Sequence, residues 1–335
     1  MITVLTCTGR GNPRFDFLAD SISNNLKSIA PEHTFPQWFE WLVVDMRLWY
    51  DADRRDQLKD AVKGRFPFRH EPPKPNVWQG PTRLTQSDWY ALNSARNTGI
   101  CLSKFNHIVL FDDCLIADAN WLNWHMQAAR IKISLAGCYE SIKNADIKNG
   151  EIVSCEKLDD SMKDHRIKVM GEDLPPTKAY GAWFYGLNVS FPLKGALKIN
   201  GFDEKYDGQG GSEDTDFGLR LERSGTPVFF SSLCKIYQIL DTHDAVCGDP
   251  GFARLIGEKS QRKQKELPLN HDGKLHYANE KLIERLIQEP TRISTSPESP
   301  DILALRKLGM ESKPLPTPTT PIHDWRDGQN LMEMG

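Results

Sequence analysis

The chain has 335 residues, enough for one large α/β domain or two smaller ones, each with a substantial core. Its 42 Lys and Arg against 45 Asp and Glu leave a net charge of −3. That balance argues against bulk binding to nucleic acid or anionic membrane and leaves only local basic stretches at 54–74 and 254–265, read first as solvated faces.

In chain order, ITVLTC (2–7) is a compact β-rich run. FDFLADSISNNLKSI (15–29) has helical apolar spacing, and FEWLVVDMR (39–47) is strand-like again. Residues 64–87 are rich in proline and arginine and read as a long surface loop. An amphipathic segment at 88–103 precedes HIVLFDD (107–113), a buried-strand run that ends in carboxylates. ANWLNWHMQAARI (119–131) reads as a helix and LAGCYE (135–140) as the start of a strand, while 141–178 is polar and irregular, a hairpin or an excursion. Small, aromatic and polar residues alternate through AYGAWFYGLNVSFPLKGALKINGFDE (179–204), and TPVFFSSLCKIYQILDTHD (226–244) supplies one or two further strands. Repeated β-α-β of this kind predicts a mostly parallel sheet with helices on both faces. Ligands of such sheets collect at the carboxyl ends of the strands. The chain divides into a catalytic-size unit over 1–245, a helical extension over 246–290 and a Pro/Ser/Thr-rich tail over 291–335.

Seven cysteines without a Cys-x-x-Cys pair are read as reduced thiols. No apolar run approaches the roughly 20 residues of a membrane span. With no signal-peptide pattern at the start, a cytoplasmic protein without a transmembrane segment is expected.

Three stations carry chemistry. The first is Asp112-Asp113, where two carboxylates at a buried strand end need solvent, hydrogen bonds or a cation to offset their cost. A hard divalent ion shared with a diphosphate is one solution, and a solvated strand end is the other. The second is GGSEDTDFGLRLERSG (210–225), in which a glycine turn delivers Glu213, Asp214 and Asp216 to a helix start. Helix capping and the helix dipole explain acidic residues there without chemistry. They leave unexplained the approach through Trp183, Tyr185, Gly186 and Asn188. The third is His243, just past a strand, a residue type more often hydrogen-bonded than metal-ligating.

Taken in order, ITVLTCT, LVVD, ARNTGI, IVLFDD, GLNVSFPLKGALKINGFDE, GGSEDTDFGLRL and the later histidine resemble the family 2 type glycosyltransferases of the GT-A fold. Residues 186–221 also resemble the carboxyl-terminal motif region of galactosyl- and N-acetylgalactosaminyltransferases. The resemblance covers roughly 1–245 and is most specific in GFDE…GGSEDTDFGLRL. It implies a nucleotide-diphospho-sugar transferase fold, a mixed and mostly parallel sheet flanked by helices. It also implies a divalent metal, Mn²⁺ or Mg²⁺, held by Asp113, Asp112 and His243, and Asp214 as catalytic base with Glu213 orienting the acceptor. Donor contacts fall by position on Thr6, Thr8, Arg10, Asp45, which matches the base-reading residue, Arg96, Asn97 and Asp112. Trp183, Tyr185, Gly186 and Asn188 fall on the acceptor and sugar side. The D-x-D pattern is altered: aligning on the cysteine puts Phe111 at its first position, and aligning on Asp112 puts Cys114 at its last, so either aspartate fits the metal role.

The resulting expectation is a metal-dependent, inverting transfer from a nucleotide sugar, UDP-linked by the family pattern, to an acceptor hydroxyl. The acceptor stays open among saccharide, lipid-linked sugar, protein and hydroxylated nucleobase. Two rival readings are a nucleotidyltransferase and a non-catalytic carbohydrate- or nucleotide-binding module on the same fold.

Overall fold

The computed structural model describes residues 1–30, 37–74, 91–157, 163–199, 201–204, 207 and 213–240. His243, Ser212, the glycines at 208 and 210–211, most of the 64–87 insert beyond Lys74, and the 246–290 and 291–335 segments lie outside the described residues.

A ten-stranded mixed sheet organises the chain. Strands β1 (Ile2–Thr8), β2 (Phe39–Asp45), β3 (Phe68–Glu71) and β4 (His107–Phe111) form a parallel half in the order β3-β2-β1-β4. Next to β4 lies the antiparallel β9 (Asn188–Pro192), then the long β6 (Ser134–Lys148) and β10 (Val228–Ile239), which run parallel to each other. The short β5 (Leu115–Ala117) closes that edge, while β7 (Glu151–Lys157) and β8 (Thr177–Lys178) pair with β6 and β10. The mixed α/β class expected from the sequence is the one observed. Two refinements concern segments that carry weak apolar patterning. The stretch 141–157 is the outer part of a β6–β7 hairpin, and FRHE within the insert pairs in parallel with β2 as a four-residue edge strand.

Helices cover both faces because each strand alternates its apolar residues. Ile2 and Val4 of β1 share one core with Trp41, Val43, Val109 and Phe111. Over that core lie α1 (Phe15–Ile29), α2 (Arg54–Val62) and α4 (Trp121–Ile131). Phe15, Leu18, Ala19, Ile22 and Leu26 of α1 recur at the spacing of one helical face, so that face is buried and the other is wet. On the opposite side Leu5, Cys7, Leu42, Val44, Ile108 and Leu110 pack under α3 (Leu92–Leu102), α6 (Leu193–Lys198) and α7 (Glu213–Arg223). The alternation decides where the first station points. Asp112 continues the Ile108, Leu110 series and therefore emerges on the α3 and α7 side.

Candidate active site at the strand ends

The parallel strands β1, β2 and β4 all end at one edge of the sheet. Thr8 Oγ1 donates to Asp113 Oδ2 at 2.6 Å, and Arg10 Nε donates to Asp113 Oδ1 at 2.8 Å. The Asp113 carboxylate is thus neutralised and oriented by the β1 end. Asp112 is half-buried, and among the described residues no donor is hydrogen-bonded to its carboxylate. Burial pushes its carboxyl up to about 7; the charges of Asp113 and Glu213 add to that rise, and those of Arg96 and Arg10 oppose it.

The other sequence-expected donor residues separate into those facing this crevice and those framing it. Thr6 is interior: its hydroxyl donates to Phe111 O at 2.8 Å and accepts from Trp41 Nε1 at 3.0 Å, tying β1 to β4 and β2. Asp45 is fully buried, with Oδ2 2.7 Å from Arg54 Nε and 3.0 Å from His70 Nε2, and Oδ1 3.0 Å from Arg54 Nη2 and 2.9 Å from Arg47 N. Burial alone would raise the Asp45 carboxyl, but the hydrogen bonds from His70 and Arg54 outweigh it and lower it. Asn97 uses its amide on the GFDE segment. Its Nδ2 donates to Phe202 O and Glu204 Oε1, and its Oδ1 accepts from Phe202 N, all within 2.9 Å.

Arg96, one residue earlier on α3, crosses to α7. Its Nη1 donates to Glu213 Oε1 at 2.9 Å, with both side chains buried. The guanidinium also lies over the Phe202 ring, 5.0 Å from its centroid. Gly186 lets it come close, since a Cβ there would stand 2.6 Å from Arg96 Nη2. The same Gly186 donates its N–H to Asp214 Oδ2 at 2.8 Å, and Asp214 Oδ1 accepts from Thr215 N at 2.7 Å. Burial first, and the adjacent Glu213 charge second, push the Asp214 carboxyl up to about 6 against these amide donors. One chain of contacts therefore links the second station to the surroundings of Asp112 through Arg96 and Gly186. Asp216 is spent on structure: it pairs with Arg220 at 2.7 Å, and Arg220 caps the carbonyls of Ile199 and Gly201.

The aromatic approach divides in the same way. Trp183, at the end of the 3-10 turn Gly181–Trp183, and Tyr185 are both half-buried. Asn188 is interior: Nδ2 donates to the carbonyls of Cys138 and Cys234 at 2.9 Å, and Oδ1 accepts from Trp121 Nε1 at 2.9 Å. It locks β9 to its neighbours. The sequence reading missed several framing residues. Lys74 Nζ donates to Glu204 Oε2 at 2.8 Å, Asp207 accepts the N–H groups of Asn93 and Ser94 at the start of α3, and Arg54 and His70 clamp Asp45. Only the GFDE block signals any of them in sequence, because its carboxylates follow a turn; the partners sit far away in the chain.

Among the described residues no group of three or more His, Cys, Asp or Glu side chains is gathered for a metal ion. The donor chemistry nonetheless suits a hard divalent cation. Asp112 and Asp113 supply carboxylate oxygens, and the burial that raises the Asp112 carboxyl, with the charges of Asp113 and Glu213 adding to it, is a cost that a bound cation would offset.

A family model described as the N-terminal domain of galactosyltransferase matches residues 172–243. Validoxylamine A glucosyltransferase of Streptomyces hygroscopicus subsp. limoneus is 26% identical over 235 residues, 63% of this chain and 47% of the relative. The chain thus spans less than half the length of that curated relative. Among solved structures, S. aureus TarS 1-349 in complex with UDP-GlcNAc aligns over 77% of this chain and 66% of its own, with 11% identity and a TM-score of 0.48. GalNAc-T7 with UDP, GalNAc and Mn²⁺ aligns over 71% of this chain and 43% of its own, at 11% identity and a TM-score of 0.45. The resemblance to glycosyltransferases read from the motifs is met by a glucosyltransferase relative and by a galactosyltransferase family model whose match spans the second station. Among the described residues no helix is long and apolar enough to cross a membrane.

Proposed function

We propose that the chain is a glycosyltransferase that moves a sugar from a nucleotide-sugar donor, a UDP-sugar, to an acceptor hydroxyl with inversion. The observation that carries this reading is the joining of two acidic stations at one sheet edge: Asp112 and Asp113 at the end of β4, and Asp214 and Glu213 at the start of α7, with Arg96 between them. Thr8, Arg10 and Arg96 face the donor. Thr6, Asp45 and Asn97 hold the frame on which those residues stand.

In this reading Asp214 is the general base. A carboxyl near 6 is ionised at neutral pH yet basic enough to accept a proton as the hydroxyl oxygen attacks the anomeric carbon. The bond from that carbon to the diphosphate oxygen breaks, its electron pair leaves with the nucleoside diphosphate, and the hydroxyl proton ends on Asp214. The amides of Gly186 and Thr215 fix the carboxylate, and the Arg96–Glu213 pair orients the same helix turn. Asp112 and Asp113 are the residues that would hold Mn²⁺ or Mg²⁺, with His243 as a further candidate outside the described residues. Such an ion, when bound, supplies charge stabilisation for the departing diphosphate.

The test is release of nucleoside diphosphate from a panel of nucleotide sugars with Mn²⁺, beside a chelated control and Asp214→Asn. The reading expects ion-dependent release from one donor and a loss of at least about 100-fold in the variant. Release of pyrophosphate instead would move the chain to nucleotidyl transfer, and donor binding without turnover under any acceptor would make it a binding module.

A further inference from the structure

Residues 141–178 form one of the excursions in which acceptor specificity is expected from the sequence, and the structure places part of that stretch beside the aromatic approach. The short helix α5 (His165–Met170) starts with Asp164 and Arg166 fully buried. Arg166 Nε and Nη2 form a fork on Asp164, with distances of 2.6–3.1 Å. Arg166 Nη2 also donates to Gly137 O of β6 at 2.8 Å, and Nη1 donates to Trp183 O at 2.6 Å. Asp164 in turn accepts from Tyr139 N at 3.3 Å and caps Arg166 N at 3.0 Å. Removing two charges from water costs several kcal/mol, and a well-packed apolar side chain would fill the space without that cost. What the guanidinium alone supplies is direction. It fastens the carbonyl of residue 183 to β6 and lies over the Tyr185 ring, 4.3 Å from its centroid.

The rings it holds are not sealed in the core. His165 is exposed, and Trp183 and Tyr185 are half-buried. The Tyr185 hydroxyl is 3.1 Å from His165 Nε2, the two rings are 5.7 Å apart, and the His165 ring meets Trp183 edge-on at 6.5 Å. Tyr185 immediately precedes the Gly186 amide that binds Asp214. Aromatic faces with polar edges, next to a carboxylate base, suit the apolar C–H face and the hydroxyl rim of a sugar ring.

We propose that His165 and Tyr185, backed by Trp183, form a saccharide-binding subsite on the acceptor side of the crevice, and that the Asp164–Arg166 pair is the positioning device that holds it. This rests on the glycosyltransferase reading and narrows its acceptor to a saccharide. His165 is the discriminating residue, because its exposed ring can be removed without disturbing the buried pair.

The experiment uses the full chain with Mn²⁺ and the donor that it turns over, against a panel of methyl and p-nitrophenyl mono- and disaccharides, with UDP affinity measured on the same samples. His165→Ala is expected to raise the saccharide KM at least tenfold and Tyr185→Phe several-fold, with UDP affinity changed less than twofold. Arg166→Lys keeps the charge but loses the fork, and its defect is expected in saccharide KM rather than kcat, a split that a general loss of folding would not produce. A saccharide KM in His165→Ala within twofold of the unmodified protein would overturn the subsite. So would a protein that releases nucleoside diphosphate from its donor but neither binds nor glycosylates any saccharide of the panel. Absence of UDP binding in the unmodified protein would instead remove the glycosyltransferase reading, and the subsite with it.

Discussion

Gly218 lies in the middle of α7, where an alanine would ordinarily strengthen the helix by about 1 kcal/mol. Here the surroundings reverse that expectation. A Cβ at 218 would stand 2.2 Å from the carbonyl oxygen of Gly181 and 2.3 Å from Phe184 Cβ, and a Cβ at 181 would stand 2.6 Å from Gly218 O. Non-bonded carbon contacts are comfortable near about 3.5–4.0 Å. The helix must therefore withdraw from the 181–184 turn by about 1 Å or more, and a backbone carbonyl has no alternative rotamer to offer. Overpacking of this kind costs roughly 1–3 kcal/mol and offsets or outweighs the propensity gain. Gly218→Ala is expected to lower stability by up to about 2 kcal/mol net. The displacement also acts one turn away, where Asp214 is held at 2.8 Å by the Gly186 amide. A shift of about 1 Å in a reacting group can cost on the order of 100-fold in rate, so turnover should fall far more than stability does. Urea unfolding and donor turnover measured on the same preparation give both numbers. A variant with an unchanged or higher urea midpoint and full turnover would refute the close packing of α7 on that turn.

Two further outcomes follow from the buried charges. Arg54→Ala leaves Asp45 buried with His70 as its remaining side-chain partner, and breaking such a pair costs about 3–5 kcal/mol; a urea midpoint within error of the unmodified protein would contradict this. Transfer is expected to fall as pH drops through about 6, because Asp214 must be ionised to act as base. Glu213→Gln removes a charge that raises the Asp214 carboxyl, so the acidic limb of kcat/KM should move to lower pH. A limb that stays in place, or moves upward, would count against Asp214 as the titrating group.

The parts of this molecule that were legible in sequence are those whose signal is local. The compact runs ITVLTC, FEWLVVD and HIVLF, and helical spacing in FDFLADSISNNLKSI, mark β1, β2, β4 and α1, because strands covered on both faces read as near-continuous apolar runs and the helix buries one apolar face. The carboxylates of α7 and of the β4 end are visible because they sit at turns. What depends on partners distant in the chain was not visible. Asn188 reads as a polar residue in an aromatic approach, yet its amide is consumed inside the sheet by Cys138, Cys234 and Trp121. Asp45 matches a base-reading position in sequence, and its clamp by Arg54 and His70 shows only in the fold. Asp164 and Arg166 lie in a stretch with no periodicity, and only the fold brings Gly137 and Trp183 to them.

The proposed function requires the edge formed by β1, β4, α3 and α7 to bind a nucleoside diphosphate together with a divalent ion. Calorimetric titration of UDP into the full chain, with Mn²⁺ and with chelator, and again into Asp112→Asn, tests it most directly. Saturable binding is expected that tightens at least tenfold with Mn²⁺ and loses that gain in the variant. Equal affinity with and without the ion, or no binding in either condition, would contradict it.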